Sequence, residues 1–158
     1  MEGADRQRYL IGSEDIDLNK LVKEIAARTA PKGAGAIVLF VGFVKGIVEG
    51  KKVQELEYMA YEPYANKKIS EILKEATEDP EVLEAIVYHK LGKFKPGETT
   101  VYVVVSATTR HKAFEKAAWI LERVKHETPI YKLERRSDGE YWVVGDNRRI
   151  PHQPRRKT

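Results

Sequence analysis

Four cations at the ends of expected helices and strands have the clearest potential for chemistry in this sequence. They lie after an apolar run, at a strand-to-helix junction, near a helix end and within a later strand: Lys45, Arg110, Lys125 and Lys132. Such a set could line a pocket for an anion and stabilise negative charge that develops during a reaction. A structural role for each cation is the alternative, and the residues alone leave it open.

Arg110 has the most suggestive position, because a helix N-terminus offers unpaired backbone N–H groups to an anion. Thr108 and Thr109 precede it and could cap the helix or contact the same ligand. Lys125 has a plainer explanation, since a cation near a helix C-terminus is stabilised by the helix macrodipole.

Lys132 lies inside a β-forming segment, where strand alternation places it on the same face as Ile130. A lysine on an apolar face is partly desolvated, which lowers its pKa and suits it to act as an acid, a base or a nucleophile. The alternative is a lysine whose stem packs at the sheet margin while its amine reaches water.

Other kinds of site are excluded by the residues present. The chain has no cysteine, which removes disulfides, thiolate metal sites and a thiol nucleophile. If sulfur chemistry occurs, a partner must bring the sulfur. The sequence has no phosphate-binding loop and no dinucleotide motif, and its four histidines are scattered. We therefore expect no metal and no cofactor, and each histidine alone is typical of a surface or helix-end residue.

Composition predicts a single folded domain. The chain has 158 residues, of which 42% are hydrophobic and 33% charged, and it lacks both an apolar run of membrane-spanning length and a signal-peptide pattern. We expect a soluble, cytoplasmic protein without a membrane partner. The net charge is +4, with the basic excess in residues 110–158, which fits an anionic partner but also fits solvated arginines near a terminus.

Hydrophobic periodicity predicts three helices, each ended by a proline or an Asp-Pro pair. They cover about 18–30, 63–78 and 110–127. Strands are predicted at Ala36–Val44, buried on both faces, and at Val53–Tyr61, Ala85–Lys90, Thr100–Ala107, Ile130–Arg135 and Tyr141–Val144.

Because the strands come in adjacent pairs, the pattern favours an α+β fold with a largely antiparallel sheet. We place the domain at residues 1–147, followed by a loose basic tail at 148–158.

Several segments between Ile16 and Trp142 resemble the large, catalytic subunit of molybdopterin synthase. The most specific is VKHETPIYKLE, in which Lys125 and Lys132 are seven residues apart and bracket Pro129-Ile130-Tyr131. The others, in chain order, are GAIVLFVGFVKG, LEYMAYEPYA, HKLGKFKPGE, and SATT followed by RHKAFEKA. The resemblance implies an α/β hammerhead fold.

The resemblance also implies roles for individual residues. Lys125 and Lys132 match the catalytic pair. The residues that match the family's substrate-contacting segments are Phe43, Val44, Lys45, Thr109, Arg110, Lys132, Leu133 and Glu134.

The implied reaction transfers two sulfurs to cyclic pyranopterin monophosphate, giving the dithiolene of molybdopterin. The implied sulfur donor is the thiocarboxylated Gly-Gly C-terminus of a small ubiquitin-like subunit. The resemblance implies a homodimer of large subunits with a small subunit at each end, in which Arg148 or Arg149 could complete the neighbouring pocket. The segment Tyr141–Arg149 is a candidate wall of the groove for the tail.

Two departures from the family pattern leave alternatives open. Lys45 stands where the family has Arg, which loses bidentate phosphate binding, and Thr109 stands where it has His. His111 could replace that imidazole only if the local turn differs. An inactive scaffold with the same fold is therefore one alternative. A module that binds nucleic acid is another, although the aromatic residues do not alternate with a basic stripe, so we expect no nucleic acid partner.

Overall fold

The helices and strands form two sheets with three helices. A computed structural model describes residues 8–145 and 148–153. Its helices are α1 (Leu18–Thr29), α2 (Glu62–Glu78) and α3 (Arg110–Glu127). Its strands are β1 (Leu10–Ile11), β2 (Ala36–Phe43), β3 (Ile47–Val48), β4 (Lys51–Ala60), β5 (Val82–Lys90), β6 (Gly92–Phe94), β7 (Thr99–Ala107), β8 (Ile130–Arg136), β9 (Gly139–Val144) and β10 (Arg148–Pro151).

The first sheet carries the main core. Its strand order is β1-β5-β7-β2, and only the β1–β5 pair is parallel among these described strands. The apolar run of β7 is buried between α1 on one face and α2 with α3 on the other. The predicted α+β class with a largely antiparallel sheet is confirmed.

The second sheet supports the end of α3. Its strands follow the order β10-β9-β8-β4-β3, and β6 pairs with β4. A smaller core lies beneath it, formed by Val44, Val48, Val53, Leu56 and Phe94. Because α3 ends at Glu127 and β8 begins at Ile130, strand β8 of this sheet follows the last helix directly.

Local side-chain chemistry explains the helix ends. The Asp17 carboxylate accepts a hydrogen bond from the Lys20 backbone N–H at 3.1 Å, which caps α1. The Thr109 hydroxyl accepts one from the Lys112 N–H at 3.2 Å and caps α3 in the same way. Pro63 lies in the first turn of α2, where its missing N–H leaves no bond unmade. All three helices occur where the sequence predicts them.

Several strands differ from the prediction, and one of them, β6, is a short strand that the sequence pattern did not indicate. β2 is half-buried instead of buried on both faces, because it is the edge strand of its sheet and pairs with β7 alone among the described strands. Residues 47–48 form β3, which joins β4 through a tight turn at Glu49 and Gly50, both with positive φ. Arg148–Pro151, placed in the tail by the sequence, pairs with β9 as β10.

Within the described ranges, no helix is long and apolar enough to cross a membrane.

Candidate active site

Two adjoining cavities meet at Lys125 and Lys132. The first, of about 560 Å³, lies between the end of α3 and strands β8 and β9, and we call it the aromatic cavity. It is lined by Tyr58, His89, Tyr131 and Trp142, among others. The second, of about 230 Å³, is lined by Lys45 and Arg149 as well as the two lysines, and we call it the cationic cavity. Their shared wall consists of Tyr58, Val101, Leu121, Lys125 and Lys132.

The turn from α3 into β8 brings the two lysines together. Thr128 donates its backbone N–H to the Val124 carbonyl and ends the helix, and Pro129 prevents it from continuing. Lys125 is thereby held in the last turn of α3. Lys132 lies opposite Tyr58 of β4 in the strand register, and its Nζ lies 5.8 Å from the centroid of the Tyr58 ring. The aromatic face therefore supports the ammonium group where the two cavities join.

Lys132 is partly desolvated, as strand alternation predicts. Burial lowers its pKa below the ordinary value of 10.5, and the charge of Lys125 lowers it further. Arg149 and Lys45 act in the same direction, while Glu134 opposes them. An ammonium group with a lowered pKa is a stronger acid, and more of it is neutral near physiological pH.

Glu134 is held between two arginines at the edge of the cationic cavity. Its side chain is only 4% exposed and accepts a hydrogen bond from Nε of Arg149 at 2.9 Å, while Arg136 lies at 3.8 Å. Because Arg149 is part of β10, this ion pair ties the C-terminal strand to the site. Glu134 thus positions Arg149.

The segment at the end of β2 lines the cationic cavity with Phe43, Val44 and Lys45. Val44 is buried and exchanges backbone hydrogen bonds with the turn that precedes β7, while the Phe43 side chain is 64% exposed. Leu133 is buried and lines neither cavity, since strand alternation turns it away from Lys132. The structure therefore brings Phe43, Val44 and Lys45 close to the two lysines, whereas the Leu133 side chain points away from both cavities.

Thr109 and Arg110 do not reach the lysines within one chain. They line a separate, open depression with Gly35, Ala36 and His111. The Thr109 hydroxyl is engaged as the helix cap, and the His111 side chain projects into solvent. The sequence-based expectation that Arg110 shares one pocket with the lysines is wrong for a single chain, because the start of α3 lies a whole helix away from its end.

Tyr58 and His89 are cavity residues that sequence reasoning missed as site residues. Tyr58 lies in an alternating strand and in the LEYMAYEPYA segment, whereas His89 is one of four scattered histidines. Their rings pack edge to face with centroids 4.6 Å apart. The sole signal that could have singled out His89 is its place at the start of the HKLGKFKPGE segment. In the described part of the chain, no group of three or more acidic, histidine or cysteine side chains could hold a metal ion.

A family model described as MoaE protein matches residues 11–127, which is most of the chain. The chain belongs to the MoaE family. A molybdopterin synthase catalytic subunit from Pyrococcus abyssi is 38% identical over 130 residues, covering 82% of this chain and 87% of the relative. Another from Bacillus subtilis is 35% identical, covering 87% of this chain and 85% of the relative.

Solved structures of MoaE-family proteins share the fold. Molybdopterin synthase from Staphylococcus aureus matches with a TM-score of 0.73 and 29% identity, covering 85% of this chain and 95% of that one. A complex of subunits 1 and 2 of the molybdopterin-converting factor from Helicobacter pylori matches with a TM-score of 0.65 and 25% identity, covering 92% and 90%. The predicted family, fold class and enzyme class, a sulfur-transferring molybdopterin synthase catalytic subunit, are confirmed.

Proposed function

We propose that this MoaE-family chain transfers sulfur to cyclic pyranopterin monophosphate from the thiocarboxylated Gly-Gly tail of a small ubiquitin-like subunit. The observation that carries this proposal is the pair Lys125 and Lys132 at the junction of the two cavities. A junction of this kind lets two substrates approach the same cations from opposite sides. Because the phosphate and the thiocarboxylate are both anions, the site must offset their repulsion before they can react.

The cationic cavity suits the phosphorylated substrate. Lys45, Lys125, Lys132 and Arg149 surround it, and Arg149 is held by Glu134. We assign the phosphate to Lys45, which keeps the positive charge of the family's arginine without its bidentate fork. The two remaining lysines then face the carbon that accepts sulfur.

The aromatic cavity suits the donor tail. Its outer wall is formed by Trp142, Val143 and Val144 of β9, which belong to the Tyr141–Arg149 segment expected from the sequence as a candidate wall. The indole N–H of Trp142 donates to Nδ1 of His152 at 3.1 Å, which fixes the Trp142 ring in that wall. An extended Gly-Gly tail entering along β9 would place its thiocarboxylate at the lysines.

Attack of the thiocarboxylate sulfur on a substrate carbon forms a C–S bond and expels an oxygen that needs a proton. Water then hydrolyses the acyl–sulfur bond, so the sulfur stays on the substrate and the tail leaves as a carboxylate. The lowered pKa of Lys132 makes its ammonium group the stronger proton donor, so we assign protonation of the departing oxygen to Lys132. Lys125, the charged neighbour with the largest effect on the pKa of Lys132, stabilises the negative charge of the attacking thiocarboxylate and of the departing oxygen.

A single-turnover assay tests the assignment. Purified chain, cyclic pyranopterin monophosphate and a thiocarboxylated small subunit are mixed, and molybdopterin is measured as its fluorescent oxidised derivative. We expect product with the native chain and a loss of about 100-fold or more in both Lys125→Ala and Lys132→Ala. Lys74→Ala, which removes an exposed lysine of α2, is the matched control and should retain full turnover.

Three outcomes would contradict the proposal. Near-native turnover in both lysine variants would remove them from the mechanism. No product despite binding of the small subunit would support an inactive scaffold, and the departures at Lys45 and Thr109 would then be its cause. Absence of both binding and product, with salt-sensitive binding to polyanions, would support a polyanion-binding module.

We further propose that the chain forms a homodimer in which Arg110 serves the neighbouring pocket. Arg110 cannot join the lysines within one chain, and the edge strand β2 carries exposed apolar residues, Phe43 at its end and Ile47 just beyond, that a second copy could cover. Mixed dimers of Lys132→Ala and Arg110→Ala chains test this arrangement. One site in each mixed dimer would combine an intact Lys132 with an intact Arg110, so mixing should restore activity that neither variant has alone. No recovery would contradict it.

A further inference from the structure

His89 is a buried residue of the aromatic cavity that the proposed sulfur transfer leaves without a role. It lies near the end of β5, is 7% exposed, and packs edge to face against the Tyr58 ring that also supports Lys132. Its imidazole is part of the cavity wall. The nitrogen atoms of a polar ring buried in this way are expected to have hydrogen-bond partners.

One nitrogen of the imidazole is accounted for. Nδ1 lies 2.9 Å from the backbone carbonyl oxygen of Lys90, and because a carbonyl only accepts, Nδ1 carries the proton and donates it. Burial lowers the pKa of His89 to about 4; the bond to the Lys90 carbonyl raises it and the charge of Lys132 lowers it. The ring is therefore neutral at physiological pH, with a lone pair on Nε2.

Nε2 has no hydrogen-bond partner within the described part of the chain. Lys125 and Lys132 line the same cavity. When charged, they can donate hydrogen bonds but cannot accept them, so they suit the anionic end of a ligand. His89 thus adds a neutral acceptor beside the two cationic donors. A ligand that fills the cavity must present an N–H or O–H to Nε2, or leave that acceptor buried and unpaired at a cost in affinity.

We propose that His89 is a substrate-binding residue whose Nε2 accepts a hydrogen bond from an N–H group of the molecule that fills the aromatic cavity. This inference rests on the proposed function, which supplies two sources of such a group. They are the backbone amide of the glycyl tail and the ring N–H groups of the pterin. The shared chemistry is a neutral N–H donor beside an anion held by the two lysines.

Two variants separate this role from a structural one. His89→Leu removes the acceptor and keeps the site apolar, while His89→Gln offers an amide oxygen near the position of Nε2. We expect His89→Leu to raise the KM for one of the two substrates by roughly three- to tenfold, the value of one hydrogen bond, with the other KM unchanged. His89→Gln should recover much of this lost affinity, although both variants lack the Nδ1–H bond to the Lys90 carbonyl and should melt at a lower temperature. Tyr88→Leu, one residue earlier on the opposite face of β5, controls for disturbance of the strand.

The source of the N–H group follows from which KM changes and from a modified donor. A small subunit whose terminal glycine is N-methylated lacks the amide N–H. If the tail is the source, the native chain should have a higher KM for the N-methylated donor than for the unmodified one. The KM of His89→Leu should be the same for both donors. If the pterin is the source, N-methylation should affect both chains equally, and only the KM for the pterin should respond to His89→Leu.

A direct readout is the ¹⁵N NMR spectrum of the histidine-labelled chain. The free protein should show a protonated Nδ1 and an unprotonated Nε2 for His89, and the Nε2 resonance should move upfield when the N–H-bearing substrate binds. A protonated Nε2 in the free chain, or a resonance that neither the unthiolated small subunit nor the pterin moves, would overturn the inference, as would equal KM values in native and His89→Leu chains. Absence of turnover in the native chain would instead overturn the proposed function, and the NMR titrations would still decide the role of His89.

Discussion

Each of the two sheets contains a lysine withdrawn from solvent, Lys90 buried and Lys132 half-buried, and the two lysines are in opposite electrostatic situations. Lys90, at the end of β5, has a side chain that is 3% exposed, but its Nζ lies 2.8 Å from the Asp15 carboxylate and 3.0 Å from the Thr99 hydroxyl. Lys132, on β8, forms no salt bridge in the described part of the chain and is surrounded mainly by other cations.

The pKa values of the two lysines shift in opposite directions. Burial lowers the pKa of Lys90, but the hydrogen bond to Asp15 and the interaction with Tyr102 outweigh it, so the net pKa is raised. Burial and neighbouring cations lower the pKa of Lys132. The buried Lys90, which has an acidic partner, holds its proton and stabilises the fold, whereas the half-buried Lys132 among cations gives its proton up more readily. Burial by itself therefore does not separate a structural lysine from a reactive one.

The largest expected effect comes from exchanging each lysine for methionine, which keeps most of the side-chain volume. Lys132→Met should lower single-turnover sulfur transfer by about 100-fold or more, because the proton donor is lost, without lowering the free energy of unfolding. Lys90→Met should leave turnover per folded molecule unchanged and lower the free energy of unfolding by about 1–2 kcal/mol through the lost charged hydrogen bonds. Turnover assays and urea titrations measure both. Equal losses of turnover in the two variants would contradict the comparison.

An effect of intermediate size on the rate of sulfur transfer is expected when one of the cations around Lys132 is removed. Arg149→Gln removes one repelling charge and releases Glu134, and both changes raise the pKa of Lys132. If the ammonium form donates the proton, the rate falls as pH rises through this pKa. The midpoint of that fall should move to higher pH in Arg149→Gln, and the rate at neutral pH should drop several-fold because the donor is a weaker acid.

The control for this experiment is Lys93→Gln, which removes one charge from an exposed position on β6. It should leave the midpoint where the native chain has it. A midpoint that stays fixed in Arg149→Gln would show that Lys132 is not the group that titrates.

Local signals in the sequence predict most of the fold. Asp15 or Asp17 before an apolar periodic run, Pro63 in a first turn and Pro129 after a helical run mark helix ends, because these effects depend on residues a few positions apart. Of the two aspartates, Asp17 is the cap. β2 is harder, since a continuous apolar run does not reveal whether a strand is central or at an edge. β10 was missed because its pairing with β9 and the Arg149–Glu134 ion pair are not local, while its arginines have the composition of a tail.

In the candidate site, too, the features that depend on nearby residues were predictable and those that depend on distant contacts were not. The spacing of Lys125 and Lys132 around Pro129 is local, and the structure brings these two together. Strand parity is local too: it puts Lys132 on the face of Ile130 and leaves open a partly desolvated amine or one that reaches water, and Lys132 is half-buried. The separation of Arg110 from the lysines depends on the length and direction of α3, and the burial of His89 depends on β4 packing across it through Tyr58. Neither relation can be read from nearby residues.

The smallest expected effect, the pH dependence of stability, discriminates most finely between the two lysines. For Lys132, whose folded pKa is lowered, the folded state binds fewer protons than the unfolded state between that pKa and 10.5, so stability rises with pH there. For Lys90, whose folded pKa is raised, the stabilisation is complete below 10.5 and is lost as pH rises through the folded pKa. As the pH rises toward 10.5, any stability advantage of Lys132→Met over the native chain should therefore shrink. The stability deficit of Lys90→Met should shrink only as the pH rises above 10.5.

Urea titrations of the native chain and both variants from pH 7 to about 11 measure these differences, whose slope for one proton cannot exceed about 1.4 kcal/mol per pH unit. Comparing each variant with the native chain at the same pH cancels the other titrating groups to first order, because only one lysine differs. A Lys132→Met difference that stays constant up to pH 10.5 and changes only above it would mean that Lys132 has a partner as effective as Asp15. The unpartnered state of Lys132, on which its assignment as proton donor depends, would then be wrong.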